Sequence, residues 1–239
     1  MDKMKSRSGD DPSSSAERLQ RALRARIAQG ALSPGEQVRQ EEMAKEFGVS
    51  RVPLREALTA LADQGLLEHH HNRGYFVAKR MPEELYQLHS MLDLLETELV
   101  KSMDWPTKAE VEELRSLNRQ MAALASDQDW MEIIPLNRRF HLKVFGLTHH
   151  RLILREVERL WCMTDVYIAG KLASSEARQR TISEHEDIVS ALVTRDKQAV
   201  MNAIAAHRKN GSAGDARSVP SRKPGPSRPK GETKRKRPT

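Results

Sequence analysis

Three of the nine histidines, His141, His185 and His207, stand where the surrounding pattern demands apolar side chains. Residues three or four apart share a helix face. By that spacing His141 accompanies Phe140 and Val144, His185 accompanies Ile182, Ile188, Val189 and Leu192, and His207 accompanies Val200, Ala203 and Ile204. His185 and His207 are also equidistant from Asp196, the expected turn of an antiparallel helix pair, so their side chains meet at one level. Asn137 lies one turn before His141 on the same face. Three imidazoles and an amide oxygen suit one divalent ion, with positions left open for water or an effector carboxylate. The same residues also suit a metal-free role, hydrogen bonding across a helical core. A third use, metal activation of water with Glu184, Glu186 or Asp187 as base, would make an enzyme. No nucleophile or acid/base set converges with them, so an enzyme is not expected.

A second constellation faces outward. On a helix expected over Arg51 to Gln64, Leu54, Ala57, Leu58 and Leu61 form one apolar sector. Val52, Arg55 and Thr59 lie opposite, with Arg51 near the edge at the N-terminal end. Ser50 is the expected N-cap, and Pro53 is tolerated in the first turn, where backbone N–H groups have no helical acceptor. In a recognition helix that end enters the major groove, and an arginine there reaches a guanine edge or a phosphate. Arg73 and Gly74, at the tip of an expected hairpin, approach the DNA backbone or minor groove. Spacing alone equally describes a solvated amphipathic helix with surface arginines.

The elements that position both sets follow from periodicity and punctuation. Leu19, Leu23 and Ile27 predict a first helix, capped among Ser13 to Ser15 and ended by Gly30. A turn at Leu32-Ser33-Pro34-Gly35 leads to a second helix over Gln40 to Phe47, packed through Met43 and Phe47, and Gly48-Val49 turns tightly into the third. Two strand-like runs within 66–77 form a hairpin. From Pro82 to about Asn210 the patterns are helical throughout, predicting helices near 82–103, 107–126, 129–147, 150–171, 176–193 and 196–210. Thr107 with Glu110 reads as a capping box and Asp196 as an N-cap. The expected fold is mainly α: an N-terminal winged helix-turn-helix over 13–80, then an all-α antiparallel bundle over 81–210.

Charge divides along the chain. Net charge is +7, and residues 211–239 alone hold nine Lys/Arg against two Asp/Glu. Residues 13–80 are mildly basic and 81–210 mildly acidic, an asymmetry that suits a nucleic-acid reader joined to a module with another task. The leader at 1–12 and the tail from Gly211 are too polar to form a core and are expected to be disordered. Lys234-Arg235-Lys236-Arg237 serves either non-specific DNA binding or solubility. The polar N-terminus and the absence of any long apolar run predict a soluble, cytoplasmic protein without membrane contact. The single cysteine, Cys162, excludes an intramolecular disulfide and reads as a buried, inert thiol. His69 to His71, His149 and His150 lack helical partners and are expected at solvent or near phosphates.

Residues 32–77 resemble the DNA-binding domain of the GntR family, through Leu32-Ser33-Pro34-Gly35, the run Phe47 to Leu58, Gly65-Leu66-Leu67 and Arg73 to Val77. The resemblance implies that Ser50, Arg51, Val52, Arg55 and Gly74 approach double-stranded operator DNA. Glu41 stands where a well-described fatty-acid regulator of the family has arginine, so part of that contact set is absent. Residues 82–210 resemble the helical FCD effector domain of the family's FadR branch, through Asn137 to His141, Glu184 to Ile188, the Ala191-Leu192 and Asp196 spacing, and His207. In metal-binding members an Asp or Asn and three histidines hold Zn or Ni, often completed by a small organic acid. Asn137, a neutral ligand, implies weaker metal binding than Asp. His89 replaces a frequent arginine, and His149-His150 replaces a usual Gly-Asn, which implies a different effector. The family implies a homodimer, with candidate surfaces on the helices at 82–103 and 107–126, and repression relieved by ligand. Activation, or constitutive DNA binding with a purely structural bundle, remains compatible with the residues.

Overall fold

Leu19, Leu23 and Ile27 fall one turn apart and are all buried on α1 (Ser15–Ala28), which packs on α3 (Arg51–Asp63). The computed structural model describes residues 15–126, 128 and 130–212. The expected leader, Ser13 and Ser14 as caps, and the tail beyond residue 212 lie outside the described residues. Between α1 and α3, α2 (Gln40–Phe47) buries Met43 and Ala44 and ends on Gly48, whose φ of +63° makes the left-handed turn into α3. Leu54, Ala57, Leu58 and Leu61 are fully buried, as their spacing predicts.

Strands β1 (Leu67–His70) and β2 (Gly74–Val77) pair antiparallel, with Leu67 opposite Val77 and His70 opposite Gly74. Leu67, Tyr75 and Val77 face the core, while His69 to His71 and Arg73 point to solvent. Tyr75 then spans to α3, its hydroxyl 2.7 Å from Thr59 Oγ1. The hairpin is thereby tied to α3, and any load on the wing reaches the helix beside it.

The remaining helices are α4 (Pro82–Lys101), α5 (Lys108–Leu124), α6 (Ile133–Phe145), α7 (Arg151–Thr164), the single turn α8 (Ile168–Lys171), α9 (Ser175–Thr194) and α10 (Lys197–Ser212). α4 lies against α7 and α10, and α5 against α6 and α9. Both predicted caps form: Thr107 and Glu110 close a reciprocal box, and Asp196 Oδ1 accepts from the N–H groups of Gln198 and Ala199 at 2.9 and 3.0 Å. Among the described residues no helix is long and apolar enough to cross a membrane.

Two elements depart from the sequence reading. The helix expected over 150–171 stops at Thr164, and a 3-10 turn, Asp165–Tyr167, intervenes before α8. No Pro or Gly marks this break. It falls at a buried carboxylate, Asp165, which receives both its hydrogen bonds from Arg138 of α6, at 2.6 and 2.7 Å. A tertiary ion pair at this position is invisible to a periodicity argument. The helix expected from 129 begins as a 3-10 turn at Trp130–Glu132, and α6 proper starts at Ile133.

A buried arginine fastens the α8–α9 corner. Arg178, 6% exposed, donates to the carbonyls of Ala125, Leu172 and Ala173 at 2.7, 2.9 and 3.0 Å. Removing it leaves three carbonyls without their donor, and unmade bonds to buried groups cost more than made bonds gain. Arg178→Met is expected to lower unfolding stability by about 3 kcal/mol, read by denaturant unfolding. A change below about 1 kcal/mol would show that water replaces the guanidinium without loss.

Candidate functional site

The three histidines converge. His141 comes from α6, His185 from α9 and His207 from α10, and their ring centroids lie 4.8 to 4.9 Å apart pairwise. One ring nitrogen of each falls within 4.8 Å of those of the other two. His185 Nε2 and His141 Nε2 are 3.2 Å apart, a separation that two ligands about 2.0–2.1 Å from one ion adopt. His185 has no solvent exposure, stacks on Phe140 at 4.1 Å between centroids, and its Nδ1 has no protein partner. His207 is set differently, with Nδ1 2.7 Å from Glu184 Oε2. With Nδ1–H donated to that carboxylate, Nε2 is left with its lone pair free, the usual way an outer carboxylate orients a metal-ligating histidine. Donor type, spacing and this orientation all fit a divalent ion.

Electrostatics favour the ligating, neutral form. Burial, then the neighbouring His207 and Arg208 charges, hold His141 well below the usual imidazole range. Burial, then His141 and His207, do the same to His185. Burial alone would raise the Glu184 carboxyl, but its bonds from His207 and Asn210 outweigh that and leave it below the ordinary value.

A cavity of about 120 Å³ opens beside the cluster. Asn137, His141 and His207 line it together with His89, Trp161 and Arg208. Asn137 thus shares the cavity with two of the three histidines, and His89 stands at its wall. The sequence reading missed Glu96, Trp161 and Arg208 as a polar lining. Trp161 Nε1 donates to Glu96 Oε1 at 2.8 Å, and Arg208 Nε donates to Glu96 Oε2 at 3.0 Å, with Asp93 completing the pair. A signal existed for one of them, because Glu96 interrupts the apolar stripe Leu85, Leu88, Leu92, Leu99 of α4 and is 4% exposed. His149 lies elsewhere, exposed and paired with Asp104 at 2.9 Å, and His150 is exposed at the start of α7. Cys162 is buried as expected, and burial pushes its thiol up to about 11.

The outward constellation is also assembled. Ser50, Arg51, Val52 and Arg55 are all exposed at the N-terminal end of α3, with Val52 68% exposed. Ser50 occupies the N-cap position with extended backbone, but its side chain accepts no cap hydrogen bond and is free for another acceptor or donor. Arg51 pairs with Glu41 of α2 at 2.6 Å, both side chains more than three-quarters exposed. Arg73 lies over the Phe76 ring at 5.1 Å, and the Gln37 side-chain amide donates to its carbonyl at 2.6 Å. Gly74 has φ +86°, a conformation that other L residues adopt only with strain.

A winged helix-turn-helix with arginines exposed on its third helix, followed by a helical unit with a histidine-lined cavity, defines a class of DNA-binding regulator. The comparisons agree. The family model described as "Bacterial regulatory proteins, gntR family" matches residues 15–77, and the FCD domain model matches residues 84–210. The chain belongs to the GntR family of bacterial transcriptional regulators, with an FCD domain. It is similar to the uncharacterized HTH-type transcriptional regulator YdhC of Bacillus subtilis, 28% identical over 77% of this chain and 84% of the relative. It is also similar to the HTH-type transcriptional repressor RspR of Escherichia coli, 26% identical over 80% of this chain and 84% of the relative. The solved structure of McbR/YncC of Escherichia coli superposes with a TM-score of 0.73, covering 84% of this chain and 96% of that one at 20% identity, which establishes the shared fold. These relatives are transcriptional regulators rather than enzymes, and the water-activating reading of the histidines falls with that finding.

Proposed function

We propose that this protein is a homodimeric cytoplasmic repressor whose grip on operator DNA is set by a small organic acid bound at the histidine cavity. The single observation that carries this reading is the 3-10 turn at Asp165–Tyr167, because it belongs to the cavity and to the DNA-reading unit at once. Asp165 lines the cavity and receives Arg138 of α6, while Arg24 Nε of α1 lies 4.0 Å from its Oδ2. Two residues on, the Tyr167 hydroxyl accepts the N–H of Arg80, which follows the wing. A ligand that shifts this turn changes how the reading unit is held, and that differential contact is what an allosteric effect requires.

In this reading Ser50, Arg51, Val52, Arg55, Arg73 and Gly74 contact DNA. Asn137, His141, His185 and His207 hold a divalent ion, zinc or nickel. When bound, that ion supplies a Lewis-acidic anchor for the effector's carboxylate. Glu184 orients His207, Phe140 fixes the His185 ring, and Arg208 places positive charge at the cavity wall. Dimerisation through α4 is supported by Tyr86 and Leu94, two turns apart on one face and 74% and 72% exposed. The test adds di- and tricarboxylates, citrate first, to the metal-loaded protein on its operator and follows fluorescence anisotropy. At least about a tenfold loss of affinity with one of them is expected, a typical size for allosteric coupling. Operator affinity that no acid alters, with or without metal, would mean constitutive binding and a structural bundle.

A further inference from the structure

A second and larger cavity, about 920 Å³, lies between α1 and the helical unit. Its wall carries six arginines drawn in pairs from three helices: Arg21 and Arg24 of α1, Arg138 and Arg139 of α6, and Arg155 and Arg159 of α7. Among the described residues two carboxylates, Glu158 and Asp165, line it with them. Asp165 is already occupied by Arg138 and lies near Arg24, and Arg159 is held by Glu156 at 2.6 and 2.9 Å. Among the described residues no ion pair or hydrogen bond engages Arg139 or Arg155. Arg24 donates through Nη2 to Gln64 and its Nε lies 4.0 Å from Asp165 Oδ2, but that buried Nε makes no hydrogen bond. Like charges lining one cavity favour an anion among them, and a buried guanidinium nitrogen without a hydrogen bond favours an acceptor.

We propose that this interdomain cavity binds a small polyphosphate-bearing molecule of nucleotide size, at a site separate from the histidine cluster. Guanidinium forks match phosphate oxygens in pairs, and the unpaired Arg139 and Arg155, from two helices, with the arginines around them suit a chain of phosphates better than one carboxylate. Ile134 and Leu142 give the same cavity an apolar wall for the rest of the ligand. The bound anion bridges α1 to α6 and α7, bracing the DNA-reading unit against the helical unit. Asn137, Trp161 and Asp165 line both cavities, and the arginines lie on the side away from the histidine cluster's own donors. The binding itself needs no metal and does not depend on the proposed carboxylate effector.

The test is isothermal titration of the full chain with sodium tripolyphosphate, ATP and citrate, comparing wild type with Arg139→Gln/Arg155→Gln, His185→Ala and Arg51→Ala. Both replaced arginines are exposed, so the double variant should fold, which its melting temperature verifies. Expected is tripolyphosphate binding about tenfold or more weaker in the double variant, with His185→Ala and Arg51→Ala unchanged, because charge-assisted contacts are the strong ones. Tighter binding of ATP than of tripolyphosphate would assign the apolar wall to the nucleoside. Equal binding in wild type and the double variant, loss in Arg51→Ala instead, or citrate binding as tightly as tripolyphosphate would each overturn the proposal. So would weaker operator binding by the double variant without any anion, since the arginines would then be DNA contacts.

Discussion

Replacing His185 with alanine is expected to strip the divalent ion from the purified protein, from about one per chain to none, with metal affinity lowered about a hundredfold or more. In the proposed site His185 is the histidine least able to be substituted. It has no solvent exposure, so no water enters in its place without opening the core, and the Phe140 ring stacks on it. Metal content by mass spectrometry, on protein purified without chelator or metal-bearing tag, reads the result. Asn137→Asp should move affinity the other way, by about tenfold, because a carboxylate is a charged oxygen donor where the amide is neutral. Metal retained by His185→Ala would remove the three-histidine site from consideration.

The same cluster sets a pH dependence. Burial holds His141 and His185 below the value their unfolded forms have, near 6.5. The unfolded chain therefore takes up protons first as pH falls. Their contribution is intact above about 6.5 and is lost as pH drops below it toward the folded values. Each histidine that stays neutral costs about 1.4 kcal/mol of metal-free stability per pH unit in that window. His185→Ala should show a shallower fall between pH 6.5 and 5 than wild type, measured by denaturant unfolding. Equal slopes would mean that the histidines titrate freely in the folded protein.

Arg51→Ala and Arg55→Ala are each expected to weaken operator binding about 5- to 150-fold, the span of one lost base or phosphate contact, while leaving stability unchanged because both side chains are exposed. The operator is obtained by selection from random-sequence DNA with the wild-type protein. Base contact and phosphate contact separate cleanly. The first relaxes specificity at one base pair, whereas the second weakens all sequences alike and lowers the salt slope by about one. Glu41 adds a prediction of sign, since its ion pair with Arg51 must be broken or shared when phosphates arrive. Glu41→Gln should bind DNA more tightly than wild type. If neither arginine variant alters binding, α3 is not the helix that reads DNA.

Much of this was legible beforehand because local rules and the tertiary fold agree. The recognition helix combines a buried sector at helical spacing with arginines on the opposite side, and both halves of that pattern are present in Leu54, Leu58 and Leu61 against Arg51 and Arg55. The histidine cluster was legible for the same reason. Polar residues on apolar faces must meet inside, and the symmetric spacing of His185 and His207 about Asp196 brought two of them to one level. The break at Asp165 was not legible, since α7 continues its periodicity across it and no helix breaker stands there. Nor was the role of Arg178, a charged residue whose three acceptors come from two distant corners of the chain.

The division has a physical basis. Periodicity, caps and glycine turns act within a few residues, so the sequence by itself determined the winged unit, the helical unit, the outward arginines and the inward histidines. Long-range ion pairs and cavities depend on which helices become neighbours, and only packing decides that. Tertiary structure alone joined Asp165 to Arg138 and Arg24, tied Tyr167 to the residue after the wing, and gathered six arginines from three helices around one space. Those contacts link the cavity to the DNA-reading unit, because the energy of a charge pair is set by distance in space and not by separation along the chain.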